Sequence, residues 1–466
     1  VAAIATISLH RSLYHTIAML PLIDLSTSDG GAALDAVLAQ LRATASAAGE
    51  AAATVAAILA DVSKRGDDAV VDYMRRWTDP HFSADRIAVT PDELDAAGRH
   101  LTGELRDAIT TAIAHVTAYQ THIKPRAADP IVIGGAELGM RWTPVDSVGL
   151  CVPGGTAVLF STLIMLAVPA LVAGVPADRI SVISPPPTRS PAPGTGGKAS
   201  AAGDISPIVL AVCKLLGISR VYRIGGAQGV AALALGTQRV NPVDLIAGPG
   251  NVFVQLAKAQ LGAVCGTDNG FYGPSEIVTI ADESARPACV AADLIAQAEH
   301  NPGKCFLIAW SRQVLDAVIG QLQHQLTQRT RVAAIAQALR EASCAVLVKD
   351  EEQACAVADR FAAEHVNLAV REPRKLLGQL RHGGEFFLGD ATPVAAGDYY
   401  AGPSHCLPTG TTARFTSGVS VHTFLKRSGT VAYPHGMDGQ TIAHIAAMAQ
   451  AEGLDAHAES VRVRSS

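Results

Sequence analysis

Short apolar runs alternate with longer helical segments from Val148 onward, and this alternation admits few architectures. Val148-Gly-Leu-Cys151, Ile180-Ser-Val-Ile-Ser184, Arg220–Ile224 and Leu245-Ile-Ala247 have the composition of strands. Ile205–Leu216 and Gly229–Leu235 between them have the composition of helices. An apolar run without polar alternation is a strand buried on both faces, so helices must cover both sides of its sheet. A second stretch repeats the scheme. Its strands are Ile277–Ile280, Lys304–Ala309, Ala345–Val348, Val366–Val370 and Phe386–Leu388; its helices are Ala285–Ala298, Gln313–Leu339 and Glu351–Ala363. Such βα alternation implies parallel sheets. The expected fold class is α/β: two Rossmann-like parallel-sheet domains of an incomplete dinucleotide-binding type, plus a helical C-terminal tail. No internal repeat is visible, although the two stretches fit distant copies of one unit.

The rest of the chain divides around these stretches. Ala-rich periodic segments predict helices over Ala32–Ala48, Ala51–Trp77 and Pro91–His122. Asp92 and Glu93 suit the positive end of the last. Residues 130–150 alternate and predict strands. Leu159–Val175 is apolar, but Pro169 interrupts it and it is short for a bilayer, so a buried helix is expected. Pro185–Gly203 has the Pro, Gly, Ser and Ala content of a flexible surface insertion. Val1–Ile23 lacks a basic leader and is broken by Arg11 and two histidines, so it is not read as a signal peptide; Met19 offers a natural start. The expected division is an extension and helix over 1–44, a first α/β domain from 45–150 and 276–420, a second over 151–275, and a tail over 421–466. The tail is predicted mostly helical after Ser428, of a kind that packs on a partner subunit.

The chain has 466 residues, 49% hydrophobic and 17% charged, which excludes a disordered protein. Its net charge of −5 and pI of about 6.3 argue against a nucleic-acid partner. A small-molecule ligand and no membrane span are expected. The eight cysteines form no Cys-x-x-Cys pair and lie mostly in apolar runs. Buried reduced thiols in a cytoplasmic protein are the expectation.

Polar residues interrupt the apolar pattern at a few loops. Gly225-Gly-Ala-Gln-Gly229 and Gly248-Pro-Gly-Asn251 each follow a strand and open a helix. Either is a tight packing turn or a place where backbone meets a phosphate, since ligands collect at strand carboxyl ends. Gln297 and His300, three apart at a helix end, fit a solvated terminus or a pair of metal donors. Asp398, after Gly397, fits an Asx turn or a site carboxylate. His405 fits a hydrogen-bonded loop histidine, and His457 a surface one. Glu364-His365 lies where a helix gives way to a strand; it is a polar helix end or an acid–base pair. Taken together, imidazoles, carboxylates and an amide of this kind bind divalent metals and move protons. The residues alone lead to an α/β enzyme with a metal-assisted proton-transfer site.

A further set of motifs is more specific. Asp146-Ser-Val-Gly-Leu-Cys-Val-Pro-Gly-Gly155, Gly225-Gly-Ala-Gln228, Gly248-Pro-Gly-Asn251, Gly273-Pro-Ser-Glu276, Gln297-Ala-Glu-His300, Glu364-His365, Gly397-Asp398, His405-Cys-Leu-Pro-Thr409 and Glu452-Gly-Leu-Asp-Ala-His457 occur in this order. In them the chain resembles the histidinol dehydrogenase family, from about Ala52 to Arg464. The resemblance implies oxidation of L-histidinol to L-histidine in two NAD-dependent steps. It implies one Zn2+ per subunit, held by Gln297, His300, Asp398 and His457, and contacting the substrate. His365 would take the hydroxyl proton and Glu364 would activate water for the aldehyde step. Ser275, His405 and Glu452 would contact substrate; Cys151, Gln228 and Asn251 would line the NAD site. The tail of a homodimer would bring His457 into the partner's site. Several residues depart from the family pattern. Cys151 replaces a common tyrosine, Val394 a glutamate, Ser404 an asparagine and Ala363 a proline, and Asp268-Asn-Gly-Phe-Tyr272 is unusual. These changes keep open a paralogue that oxidises another small alcohol or diol with the same zinc and NAD. A non-catalytic binding protein would need loss of Glu364, His365 or a ligand, and all are present.

Overall fold

A computed structural model describes residues 20–45, 50–99, 101–154, 159–187, 204–300 and 303–464. Most of the expected insertion at Pro185–Gly203, and most of the N-terminal stretch containing Met19, lie outside the described residues.

The α/β expectation holds. Six strands form one parallel sheet in the spatial order Leu22–Asp24, Cys344–Leu347, Lys304–Ala309, Glu276–Ala281, His365–Ala369, Glu385–Leu388. Alternate residues feed two apolar layers. Ile277, Leu307 and Ala345 enter one; Val278, Phe306 and Val346 enter the other. Both faces are therefore buried, as the unbroken apolar runs require. A smaller parallel sheet runs in the order Arg220–Tyr222, Ile180–Ile183, Val148–Cys151, Leu245–Ala247, Gly266–Thr267. The run at 159–175 is the buried helix Phe160–Ala173, closed by left-handed Gly174. Among the described residues no helix is long and apolar enough to cross a membrane.

Some helices are shorter than their periodicity predicts. The segment Ala51–Trp77 is two helices, Glu50–Arg65 and Asp67–Trp77, broken where Gly66 takes a φ of 60°. Gln313–Leu339 likewise divides into Arg312–Leu326 and Val332–Glu341. The strand Leu22–Asp24 is too short to leave a pattern. The expected helical tail begins instead with the strand Leu425–Ala432, which pairs antiparallel with Ala136–Pro144. That strand is exposed along most of its length, so no apolar alternation marks it. Two helices follow, Gly439–Ala451 and Asp455–Arg462, packed on each other through Ala446, Ala449 and Ala458. All eight cysteines are free, and only Cys289 is not fully buried.

Candidate active site

The site gathers at the amino ends of the strands of the larger sheet. Helix Glu351–Phe361 stops at Ala362, whose φ of 43° is left-handed. A non-glycine residue there stores roughly 1 kcal/mol or more of strain. The turn sends Glu364 and His365, both buried, into the start of strand His365–Ala369. The neighbouring strand starts with Glu276, just after Ser275, and pairs His365 with Ile277. Helix Pro287–Ala298 ends beside them and delivers buried Gln297, with His300 just beyond. The chain passes back over this helix end at Gly303. A Cβ there would lie 1.8 Å from the Gln297 carbonyl oxygen, so only glycine fits. Short helix Val394–Tyr399 supplies Asp398, and the following loop supplies His405.

One hydrogen-bond chain links these groups. The Gln297 amide Nε2 donates to Ser275 Oγ at 2.7 Å. Ser275 Oγ in turn donates to the Glu364 carboxylate. The Glu276 backbone N–H donates to the same Glu364 oxygen at 3.0 Å. Gln297 Oε1 lies 3.1 Å from His365 Nδ1. An amide oxygen can only accept, so Nδ1 carries the proton and Nε2 is the bare nitrogen. That Nε2 is buried without a hydrogen-bond partner and lies 3.7 Å from Asp398 Oδ1. His405 Nδ1 sits 2.7 Å from the Asp398 carbonyl oxygen. Its Nε2 meets Thr162 Oγ1 at 3.1 Å, which ties the site to the first turn of Phe160–Ala173.

Burial sets the charges. It pushes His365 down to about 4, outweighing the pull of Asp398. The imidazole is therefore neutral near pH 7 and free to accept a proton. Its 3.8 Å approach to Glu364 is then not an ion pair. Burial also drives Glu364 well above the carboxylate range, against the opposing hydrogen bonds from Ser275 and Glu276. Burial and the nearby Asp398 charge raise Glu385 to about 7. Glu276, raised to about 7 by burial, accepts from Gly410 N–H at 3.1 Å.

Ser275, Gln297, Glu364, His365, Asp398 and His405 are thus brought together, with His300 against the Gln297 carbonyl at 3.3 Å. Glu452 and His457 are exposed on the C-terminal helices. Among the described residues, no hydrogen bond or ion pair joins their side chains to this group. Gln228 and Asn251 lie at the carboxyl side of the smaller sheet. Gln228 donates to Met74 Sδ at 3.7 Å, while its Oε1 is buried and unpartnered. Asn251 Oδ1 caps helix Val252–Leu261, accepting from Phe253 and Val254 N–H at 3.1 and 3.2 Å. The Cys151 thiol is buried and pushed up to about 12. Ser404 donates to the Met165 carbonyl at 2.9 Å, and Val394 is buried in the apolar layer with Phe387.

Sequence reasoning assigned no role to Glu276, Glu385 or Lys304. Each opens or adjoins the start of an apolar strand, and a charge in that position is the signal that could have found them. It also passed over Lys258, which with Asp268 forms a buried ion pair at 2.7 Å under the Gly248 turn.

Among the described residues, no group of three His, Cys, Asp or Glu converges to hold a metal. The donors Gln297, His300 and Asp398 form a nitrogen and oxygen set of the kind zinc accepts. In donor chemistry the set suits zinc together with a further ligand.

The family model for histidinol dehydrogenase matches residues 41–465. The histidinol dehydrogenase of Rhodospirillum rubrum is 40% identical over 444 residues, covering 95% of this chain and 98% of that one. That of Thermosynechococcus vestitus is 41% identical over 413 residues, covering 88% and 92%. The crystal structure of histidinol dehydrogenase from Elizabethkingia anophelis superposes with a TM-score of 0.84 at 29% identity, covering 97% of this chain and 99% of that one. With the match spanning both sheets and every cluster described above, the chain belongs to the histidinol dehydrogenase family.

Proposed function

We propose that this chain oxidises L-histidinol to L-histidine by way of histidinal, as the last step of histidine biosynthesis. The observation that carries this reading is the buried, neutral His365, with its bare Nε2 beside Asp398 and its Nδ1 held by Gln297. Zinc and NAD, when bound, would supply a clamp for the substrate nitrogens and an acceptor for hydride. Gln297, His300 and Asp398 would hold the metal, one per subunit, with His457 from a second copy of the chain.

His365 receives the alcohol proton at Nε2. Its tautomer is fixed by Gln297, so the base is oriented before substrate arrives. Glu364 serves the second step. Two donors, Ser275 and the Glu276 N–H, favour its ionised form, whereas burial favours the acid. Burial prevails, so Glu364 must first lose its proton, which the two donors favour, before it can take one from the water that attacks the aldehyde. Ser275, His405 and Glu452 would contact the substrate, and Gln228 and Asn251 the NAD. The eight unpaired thiols suit a reducing cytoplasm.

The test is stoichiometric. Zinc-loaded protein with NAD and L-histidinol should form two NADH per histidine. Absence of NADH with zinc bound would sink the reading.

A further inference from the structure

We infer that Glu385 is a substrate-binding residue, its carboxylate accepting an N–H of the substrate's amino group and so selecting an amino alcohol. This rests on the dehydrogenase reading above. Glu385 opens strand Glu385–Leu388 and is the register partner of His365 on the adjacent parallel strand. Register partners on neighbouring parallel strands project to the same face, so its side chain stands on the side of the sheet that carries the His365 imidazole. Its Oε2 is buried and has no hydrogen-bond partner.

The same oxygen is packed against the chain that carries Asp398. A Cβ at Gly397 would lie 3.1 Å from Glu385 Oε2 and 2.7 Å from the Phe387 ring. A buried carboxyl oxygen without a donor is destabilising, because nothing replaces the water it has lost. No ion pair or hydrogen bond within the described chain offsets that cost at Glu385, whereas Glu364 and Glu276 each have donors. Asp398 acts on Glu385 from one side and Glu385 on Tyr119 from the other, which places it between the Asp398 loop and helix Gly103–Ile123.

The surroundings favour a nitrogen donor as the missing partner. Helices Pro287–Ala298 and Glu351–Phe361 both end at this edge of the sheet, and helix carboxyl termini carry partial negative charge. Lys304 stands opposite Glu276 in register. The partial charge of those helix ends favours N–H donors and disfavours anions. An amino group whose lone pair is held by zinc still offers two N–H donors, whereas an imidazole held the same way offers one, so the amino group is the better match.

The test compares the parent with Glu385→Gln and Glu385→Ala, each zinc-loaded. Initial rates are measured with L-histidinol and with its deaminated analogue imidazolylpropanol, and L-histidinol binding is measured by calorimetry. Loss of one hydrogen bond to a charged group predicts a KM and Kd for L-histidinol raised about 10–100-fold, with kcat within about threefold. The same variants should leave the analogue's KM within about threefold. Glu385→Gln preserves shape, so it decides the matter if Glu385→Ala fails to fold. Unchanged KM and Kd in Glu385→Gln would overturn the inference. So would an equal rise with both alcohols, or a fall in kcat and bound zinc at constant KM, which would make Glu385 a support for Asp398. A parent that binds and oxidises L-histidinol while its variants behave like it removes Glu385 alone. A parent that neither binds nor oxidises it removes the activity reading as well.

Discussion

Replacing Lys258 by methionine should be among the most damaging single changes outside the candidate active site. Lys258 Nζ donates to the Gly248 carbonyl at 2.9 Å and to both Asp268 oxygens at 2.7 and 3.0 Å. Its side chain is 3% exposed and that of Asp268 is 0% exposed. This is not a surface pair worth ~0–1 kcal/mol. Removing one partner leaves a buried carboxylate whose remaining donor is the Gly248 N–H, at 2.7 Å. The expected cost is about 3–5 kcal/mol.

The cost should also depend on pH, with a definite sign. Burial raises Asp268 above its ordinary value even with Lys258 present, and Lys258 is the largest opposing influence. Without the lysine the folded value rises further. A carboxyl raised on folding contributes stability that is fully present below its unfolded value, ~3.9, and lost as pH climbs to the folded value. The deficit of Lys258→Met should therefore grow as pH rises from the parent's folded value toward the variant's, by at most ~1.4 kcal/mol per unit, and is read near pH 5 and pH 8. Urea unfolding followed by tryptophan fluorescence at both pH values measures it. The double variant Lys258→Met/Asp268→Asn should recover most of the loss, giving a coupling of ~2 kcal/mol or more. A deficit below ~1 kcal/mol that is equal at both pH values would refute the reasoning.

His365→Asn should slow both oxidations about 10²–10⁴-fold, as read by stopped-flow NADH formation from L-histidinol and from histidinal. Glu364→Gln should mainly slow the histidinal step; equal losses at both steps would end that division of labour. If His457 completes a neighbour's site, mixing inactive His457→Asn and His365→Asn proteins should restore activity after subunit exchange, because one site of each mixed dimer is intact. No recovery, with exchange demonstrated by mass spectrometry, would place His457 elsewhere. Glu276→Gln keeps the acceptor for Gly410 and removes a carboxyl raised to about 7. Stability lost by the parent as pH rises from ~4.5 to ~7 should be retained by the variant, by on the order of 3 kcal/mol at pH 8. Parallel pH curves for the two in denaturant unfolding would count against it.

What the sequence disclosed and what it withheld follow from different forces. Buried parallel strands need apolar side chains on both faces, so Ile180–Ile183 and Lys304–Ala309 announce themselves. Helix breaks are local events. Gly66 breaks its segment through a left-handed φ that leaves no mark on the apolar period. The strand Leu425–Ala432 is held by pairing with a segment nearly 300 residues earlier in the chain, and no window of sequence contains that partner. The polar motifs named Ser275, Gln297, Glu364, His365, Asp398 and His405, which the fold brings together, but not the bonding among them. That Gln297 uses one end of its amide on Ser275 and the other on His365 is a tertiary fact.

The placement of the cluster is itself informative. Ligands of open α/β sheets commonly sit at strand carboxyl ends, where helix amino termini favour anions. In the smaller sheet the turns at Gly225 and Gly248 obey that rule. In the larger sheet His365, Glu385, Glu276 and Lys304 all stand at strand amino ends, beside the carboxyl ends of helices. The polarity is reversed, so this edge suits a cation and an amine as the other suits a phosphate. His405, bridging to Thr162 at the smaller sheet's first helix, lies where the two edges meet. A dehydrogenase needs such a junction, because the carbon that gives up hydride must touch the carrier while its nitrogens are held elsewhere. In this chain the polar cluster stands at the amino ends of one sheet and the glycine turns at the carboxyl ends of the other, so a rule learned from either sheet alone would look for the candidate site at the wrong end of the other.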